Sequence, residues 1–327
     1  TKHFDQRFTD TLLAHLSTLD EDEGLSGVID GLCIQGENFQ ALNLLQERFR
    51  EKVQCVYIDP PYNTGNDGFL YKDSYRHSSW MSMMADRVML TRNLMPAESA
   101  LFANVDDNEQ DNLRKLFGQL FGEANFVANL IWQKKYSPAN DATWFSDDHD
   151  HILVYSEDKT VWRPTKLPRT EEQDSAYSNP DNHPKGKWKA SDYTSNKSAE
   201  ERPNLYYPIK NPHTGEKVWP SKTRVWAYSL EKHRQNVEED RVWWGEDGTN
   251  SMPAYKRFLS EMGGVVPRTV WTYDKAGHNQ DAVRGLQSIF GQNPFPSPKP
   301  TKLLKRVLQV GGGRIALDYF AGSGTTG

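Results

Sequence analysis

Val53-Gln54-Cys55-Val56-Tyr57-Ile58, followed at once by Asp59-Pro60-Pro61-Tyr62, is the stretch on which the fold turns. A six-residue run with one polar member is too short for a buried helix and reads as a strand covered on both faces. The two prolines end it, because they fix φ and hold the backbone extended. Open parallel sheets bind ligands at the carboxyl edge of their strands, so Asp59 to Tyr62 stands where chemistry is expected. With each residue type at roughly 5%, such a four-residue string arises by chance in about 0.2% of chains this long. A bare proline turn is therefore the weaker reading. Pro60 and Pro61 carry no N–H, so the carbonyls of Asp59 and Pro60 can face a cleft without a competing donor. With the Asp59 carboxylate they form an acceptor surface suited to an exocyclic amino group, and Tyr62 offers a flat face on which a base can stack.

Working outward, Leu32-Cys33-Ile34 is predicted as a short strand and Asn38–Arg50 as a helix, with Phe39, Leu42, Leu45 and Phe49 at helical spacing. Strand, helix and strand within about thirty residues make a βαβ unit. Trp80–Met95 reads as a helix stopped by Pro96, and Ala100–Val105, Asn129–Trp132 and Ile152–Tyr155 read as strands. Near the far end, Pro300–Val310 reads as a helix with Gly311-Gly312-Gly313 as its stop, then Arg314–Phe320 as a strand. The fold class is α/β. Cys33 and Cys55 have no metal-site spacing and are expected to be small buried hydrophobes in a reduced, cytoplasmic protein. No apolar stretch approaches membrane-spanning length.

The 327 residues are 25% charged and 36% apolar, a globular balance that excludes wholesale disorder. The net charge of −5 excludes, for the chain as a whole, the strongly basic profile of many nucleic-acid binders. The charge is uneven, however: −13 over residues 1–158, +5 over 159–300 and +3 over 301–327. Seven of the ten tryptophans fall between Trp162 and Trp271, in a stretch broken by Pro, Gly and Asn. That pattern predicts an inserted domain of short strands and loops over 159–293, flanked by two parts of one domain, 1–158 and 294–327. Lys185, Lys187, Lys189, Lys222, Arg224, Lys256, Arg257 and Arg268 are its candidate phosphate or guanine contacts.

A second string, Asp318-Tyr319-Phe320-Ala321-Gly322-Ser323-Gly324-Thr325-Thr326-Gly327, follows the last strand. Its glycines allow close backbone approach to a ligand. It is not a Walker A loop, since no Gly-Lys-Ser/Thr follows, and the dinucleotide fingerprint is not met. Asp147-Asp148-His149-Asp150-His151 has the residue types of a metal site but reads as a solvated acidic turn, so no metal is expected.

The pairing of D-P-P-Y with F-x-G-x-G resembles the amino-group DNA methyltransferases that use S-adenosylmethionine. D-P-P-Y comes first, Asp59 preceding Asp318 by 259 residues, an order similar to the β-class arrangement. The strings Asp59 to Gly65, Val105-Asp106-Asp107-Asn108-Glu109, Ile152-Leu153-Val154-Tyr155 and Ser297-Pro298-Lys299-Pro300 most resemble the modification (Mod) subunits of type III restriction systems.

The resemblance implies a Rossmann-like methyltransferase sheet with an inserted target-recognition domain, and transfer of a methyl group to adenine N6 of a flipped base. D-P-P-Y favours adenine N6; cytosine N4 or RNA as target, and a catalytically silent DNA-recognition subunit, stay open. It implies that Asp59 and the Pro60 carbonyl hold the target amino group, with Pro61 and Tyr62 completing the motif and Tyr62 stacking on the base. It implies a cofactor loop of Phe320, Ala321, Gly322, Ser323 and Gly324, with Asp318 placing the methionine end, Lys299 bordering it, and Glu37 near the adenosine. Double-stranded DNA, a homodimer and a restriction (Res) subunit are the implied partners. Members of the family continue past F-x-G-x-G with a helix, a strand and an acidic residue for the ribose, so a chain reaching only Gly327 is expected to be truncated there.

Overall fold

The computed structural model describes residues 31–65 and 72–327. In chain order the described elements begin with α1 (Asn38–Phe49), β1 (Cys55–Ile58), α2 (His77–Leu94), β2 (Ala100–Val105), α3 (Gln110–Phe121), β3 (Phe126–Gln133) and β4 (His149–Ser156). The middle of the chain holds α4 (Glu171–Asp174), β5 (Trp188–Asp192), β6 (Ile209–Lys210), β7 (Lys217–Val218), α5 (Leu230–Glu238), β8 (Val242–Trp243) and β9 (Ala254–Phe258). Last come β10 (Val270–Trp271), α6 (Tyr273–Ala276), α7 (Asn279–Phe290), α8 (Thr301–Gly311) and β11 (Ala316–Asp318).

Six strands form one mixed sheet in the order β10-β3-β4-β2-β1-β11. β1 lies parallel to both β2 and β11, and β4 runs antiparallel to β2 and β3. All four residues of β1 are buried, as a central strand covered on both faces requires. Alternation sends Val56 and Ile58 into a core with Leu42 of α1, Trp80, Met84 and Val88 of α2, and Leu113 and Phe117 of α3. Cys55 points the other way, toward α8. A Cβ added at Gly311 would stand 2.4 Å from Cys55 Sγ and 3.2 Å from Phe102, so only glycine lets that helix end close on the sheet. The result is a helix–sheet–helix, Rossmann-like arrangement.

Register fixes the functional edge. Tyr57 pairs with Asp318, so Asp59 and Phe320 leave the sheet side by side, and Val105 pairs with His151 at the same edge. Leu32-Cys33-Ile34 forms no strand: the segment is exposed, Leu32 at 68% and Ile34 at 43%, and Cys33 is exposed where a buried cysteine was expected. The acidic turn expected over 147–151 is also corrected: β4 begins at His149, and Asp150 is buried at 3% exposure.

The chain divides into two compact units, one running to Thr165 and resuming at Pro267–Gly327, the other Lys166–Val266. The inserted unit is thus narrower than 159–293. Trp162 and Trp271 belong to the first unit, where β10 extends the main sheet beside β3. The insertion carries 16 basic and 15 acidic side chains, so the positive excess expected of it shrinks to one charge. It holds a three-stranded sheet, β5-β9-β8, and the ribbon β6-β7. Tyr193, Ile209, Trp226 and Trp244 form its core. Lys256 is buried between Asp181 at 2.6 Å and Asp240 at 3.0 Å, which removes it from the candidate phosphate contacts. No helix among the described residues is long and apolar enough to cross a membrane.

Candidate active site

The carboxyl edge of β1 opens on a cleft of about 290 Å³ lined by Asp59, Pro60, Tyr62, Thr64, Lys134, Asp150 and Lys299, among others. The backbone of the Asp59–Tyr62 turn is held from outside the cleft, where the buried Trp80 Nε1 donates to the Pro61 carbonyl at 2.8 Å. Among the described residues no hydrogen bond reaches the Pro60 carbonyl. Asp59 Oδ2 accepts from Lys299 Nζ at 2.8 Å, while Oδ1 is shielded from solvent and has no partner among the described residues. Burial raises the Asp59 pKa above the usual carboxylate range and Asp150 adds to it; the Lys299 ammonium opposes both.

Tyr62 is anchored at its far end. Its hydroxyl donates to Asp150 Oδ2 at 3.1 Å and accepts from Asn104 Nδ2. Lys134 Nζ donates to Asp150 Oδ1 at 2.8 Å and to Asp147 at 2.8 Å. Burial and the neighbouring carboxylates push the Tyr62 pKa well up, so the phenol keeps its proton. The ring is fixed in orientation, with Lys299 Nζ 4.9 Å from its centre.

Beyond Tyr62 the chain turns at Asn63, whose φ of 60° is left-handed. Asp73 holds the turn by accepting from the Asn63 and Thr64 amides at 2.7 and 3.0 Å. Asn63 Nδ2 donates to the buried Glu109 at 2.6 Å. Asn104, Asp73, Glu109, Lys134 and Asp150 went unnamed as site residues in the sequence. For Glu109 a signal existed, since it closes the string Val105 to Glu109.

A second, small cavity of about 20 Å³ adjoins the first through Asp59, Ser297 and Lys299. Asp318, Phe320, Ala321, Gly322 and Ser323 line it, with Phe295 and Tyr57. Gly322 has φ 51°, and a Cβ there would meet the Phe295 ring at 3.1 Å. Asp318 accepts from the Phe320 amide at 3.0 Å and the Thr326 hydroxyl at 2.5 Å; burial pushes its pKa up to about 6. Gly324, at φ 74°, shapes the same loop without lining the cavity.

Glu37 stands apart from both cavities. It caps α1, accepting from the Phe39 and Gln40 amides, and pairs with Arg87 at 2.5 Å. The next residue, Asn38, donates from its side-chain amide to the Tyr319 carbonyl at 3.0 Å, so Asn38 touches the segment that leads into the loop and Glu37 does not. Asp107, His149 and His151 bring ligand-type atoms within 4.8 Å of one another, with His151 Nε2 2.9 Å from Asp107 Oδ1.

The sequence model of the DNA methylase family matches residues 53–327, from β1 through the glycine loop. The chain belongs to the DNA methylases. Among its relatives is the type III restriction-modification enzyme StyLTI Mod subunit of Salmonella typhimurium, 31% identical over 90% of this chain and 49% of that one. The EcoPI Mod subunit of Escherichia phage P1 is 28% identical over 97% of this chain and 57% of its own. Type II methyltransferase M.KpnI of Klebsiella pneumoniae is 26% identical over 89% and 74%. This methylase spans about half the length of the Mod subunits it matches.

Proposed function

We propose that this DNA methylase transfers a methyl group from S-adenosylmethionine to adenine N6 in double-stranded DNA, as the modification subunit of a restriction-modification system. The observation that carries the reading is the acceptor pair at the end of β1. Asp59 Oδ1 and the Pro60 carbonyl, both without partners among the described residues, stand beside a fixed aromatic ring and next to the Phe320–Gly324 loop.

The residues suit the cofactor on their own geometry. Gly322 leaves room that a Cβ would fill, and Tyr57 brings a buried hydroxyl without a partner among the described residues. Asp318, Phe320, Ala321, Gly322, Ser323 and Gly324 would hold it, with Lys299 on its border. When bound, S-adenosylmethionine supplies an electrophilic methyl group on a sulfonium.

The chain's own work is positioning and electrostatics. Asp59 and the Pro60 carbonyl accept the two amino hydrogens of the base, which turns the nitrogen lone pair away from the ring. The base has to leave the duplex at a cost of a few kcal/mol. Stacking on Tyr62 returns roughly 1–3 kcal/mol. No cysteine nucleophile takes part: burial pushes the Cys55 thiol up to about 12, so it stays protonated against α8.

Lys166–Val266 would read the target sequence, and the working assembly would be a homodimer with a Res subunit in the cytoplasm; the Mod-subunit names of the relatives support the restriction partner. The test is transfer of labelled methyl from S-adenosylmethionine to DNA, followed by nucleoside identification. N6-methyladenine is the expected product. N4-methylcytosine, methylation of RNA alone, or no transfer overturns the reading.

A further inference from the structure

Lys299 stands where the two cavities meet, and its ammonium is committed to Asp59. Both side chains are largely withdrawn from water, Lys299 at 12% and Asp59 at 20% exposure. The other groups that face Asp59 are acidic or neutral. Asp150 acts on it from β4 and Asp318 from β11, the Tyr57 phenol interacts with all three carboxylates, and the Tyr62 hydroxyl favours the Asp59 anion more weakly than Lys299 does. Two further cations line the cleft: Lys134 is held by Asp147 and Asp150, and Lys135 makes no ion pair with Asp59 among the described residues. Among the described residues Lys299 is therefore the one cation bonded to Asp59.

A carboxyl group with such neighbours tends to take up a proton, because burial and like charges disfavour the anion. A protonated Asp59 keeps one carbonyl acceptor but turns its other oxygen into a donor, so the oxygen that meets the amino group, itself a donor, is no longer fixed as an acceptor. Only the ionised form offers two acceptor oxygens.

We propose that Lys299 is a positioning residue that acts through Asp59. It occupies Oδ2 and holds the carboxyl ionised, which leaves Oδ1 as the acceptor for the incoming amino group. The inference rests on the reading of Asp59 given above, and it assigns Lys299 to the base as well as to the cofactor border.

Two measurements on the whole chain test it, using Lys299→Gln, the isosteric Lys299→Met and the charge-conserving Lys299→Arg. The first needs no turnover. Infrared difference spectra of each variant with and without Asp59→Asn should show a protonated carboxyl band at neutral pH for Lys299→Gln and Lys299→Met. The band should be absent from the wild type and from Lys299→Arg. The second is the pH profile of methyl transfer at saturating cofactor and DNA. Lys299→Gln should lose roughly tenfold more rate on the mildly acidic side than on the alkaline side, an upward shift of the acid limb by about one unit. Lys299→Arg should bring the limb back. An Asp59 that stays ionised in both neutral variants, or a loss uniform across pH, overturns the proposal. If the wild type transfers no methyl at any pH, the functional reading falls, and the infrared spectra still decide the role of Lys299.

Discussion

Asn63 and Glu109, 46 residues apart, are joined by a 2.6 Å hydrogen bond that ties the loop after Tyr62 to the start of α3. Glu109 is fully buried and accepts three times, from Asn63 and His77 through Oε1 and from Asn112 through Oε2. Glu109→Ala strands the Asn63 and Asn112 amides at a cost of about 1–3 kcal/mol. Urea unfolding should show that loss. Methyl transfer should fall with it, because Asn63 directs the chain away from Tyr62. An unchanged unfolding midpoint would mean that water satisfies these groups and the link is dispensable.

The two ends of Tyr62 separate by substitution. Tyr62→Phe keeps the ring and gives up the hydroxyl bonds to Asp150 and Asn104. Tyr62→Ala removes the stacking face itself. Fluorescence of an adenine analogue at the target position should report base capture weakened by roughly 1–3 kcal/mol in Tyr62→Ala. In Tyr62→Phe the loss should be smaller. Equal losses would assign the stacking to another side chain.

Asp59→Ala should abolish methyl transfer while DNA binding, followed by gel retardation, stays intact, since the candidate phosphate contacts Lys185, Lys187, Lys189, Lys222, Arg224 and Arg257 belong to the unit Lys166–Val266. Normal turnover in this variant would remove Asp59 from the amino-group site.

The parts of the site that local sequence revealed are those built by backbone rules. Asp59-Pro60-Pro61-Tyr62 follows an apolar run, and Gly322 and Gly324 follow a strand, so their placement at one sheet edge was legible. Asp150 was not. It sits in the polar run Ser146–His151 with no apolar alternation, and its burial depends on Lys134 and Tyr62, 16 and 88 residues away in the chain. The insertion was legible as a change in composition but not in its bounds. Trp162 and Trp271 look like its other tryptophans, yet Trp271 lies in a strand paired to β3 and Trp162 packs edge-on to Phe102 of β2. Leu32 to Ile34 forms no strand because three apolar residues are not enough: Leu32 and Ile34 are exposed, and no sheet partner or core packing holds the segment extended among the described residues.

Gly311→Ala tests the closure of α8 on the sheet. Its Cβ would stand 2.4 Å from Cys55 Sγ and 3.2 Å from Phe102, both in buried strands. Overpacking of this kind costs typically about 1–3 kcal/mol. The thermal midpoint should drop accordingly, and pairing with Cys55→Ala, which opens space at the sulfur, should recover part of it. A double variant no more stable than the sum of the singles would place the strain elsewhere.

Asp318 gives the fold a pH dependence whose sign follows from its environment. Burial raises its pKa in the folded chain to about 6, against the lower value of an unfolded carboxylate. A raised folded pKa means that the folded state binds the proton more tightly. The stability this contributes is present below the unfolded pKa and disappears as pH rises through about 6. Above that point the buried anion weighs on the fold by something on the order of 2–3 kcal/mol. Asp318→Asn removes the charge, keeps an oxygen for the Phe320 amide, and can donate to Thr326 Oγ1. Its unfolding midpoint in urea should match or trail that of the wild type in acid, overtake it between the unfolded pKa and about pH 6, and stay ahead above. Cofactor binding by the same variant, followed by calorimetry, should weaken at neutral pH as the carboxylate near the methionine end is lost. A stability difference independent of pH would show that Asp318 titrates normally in the fold.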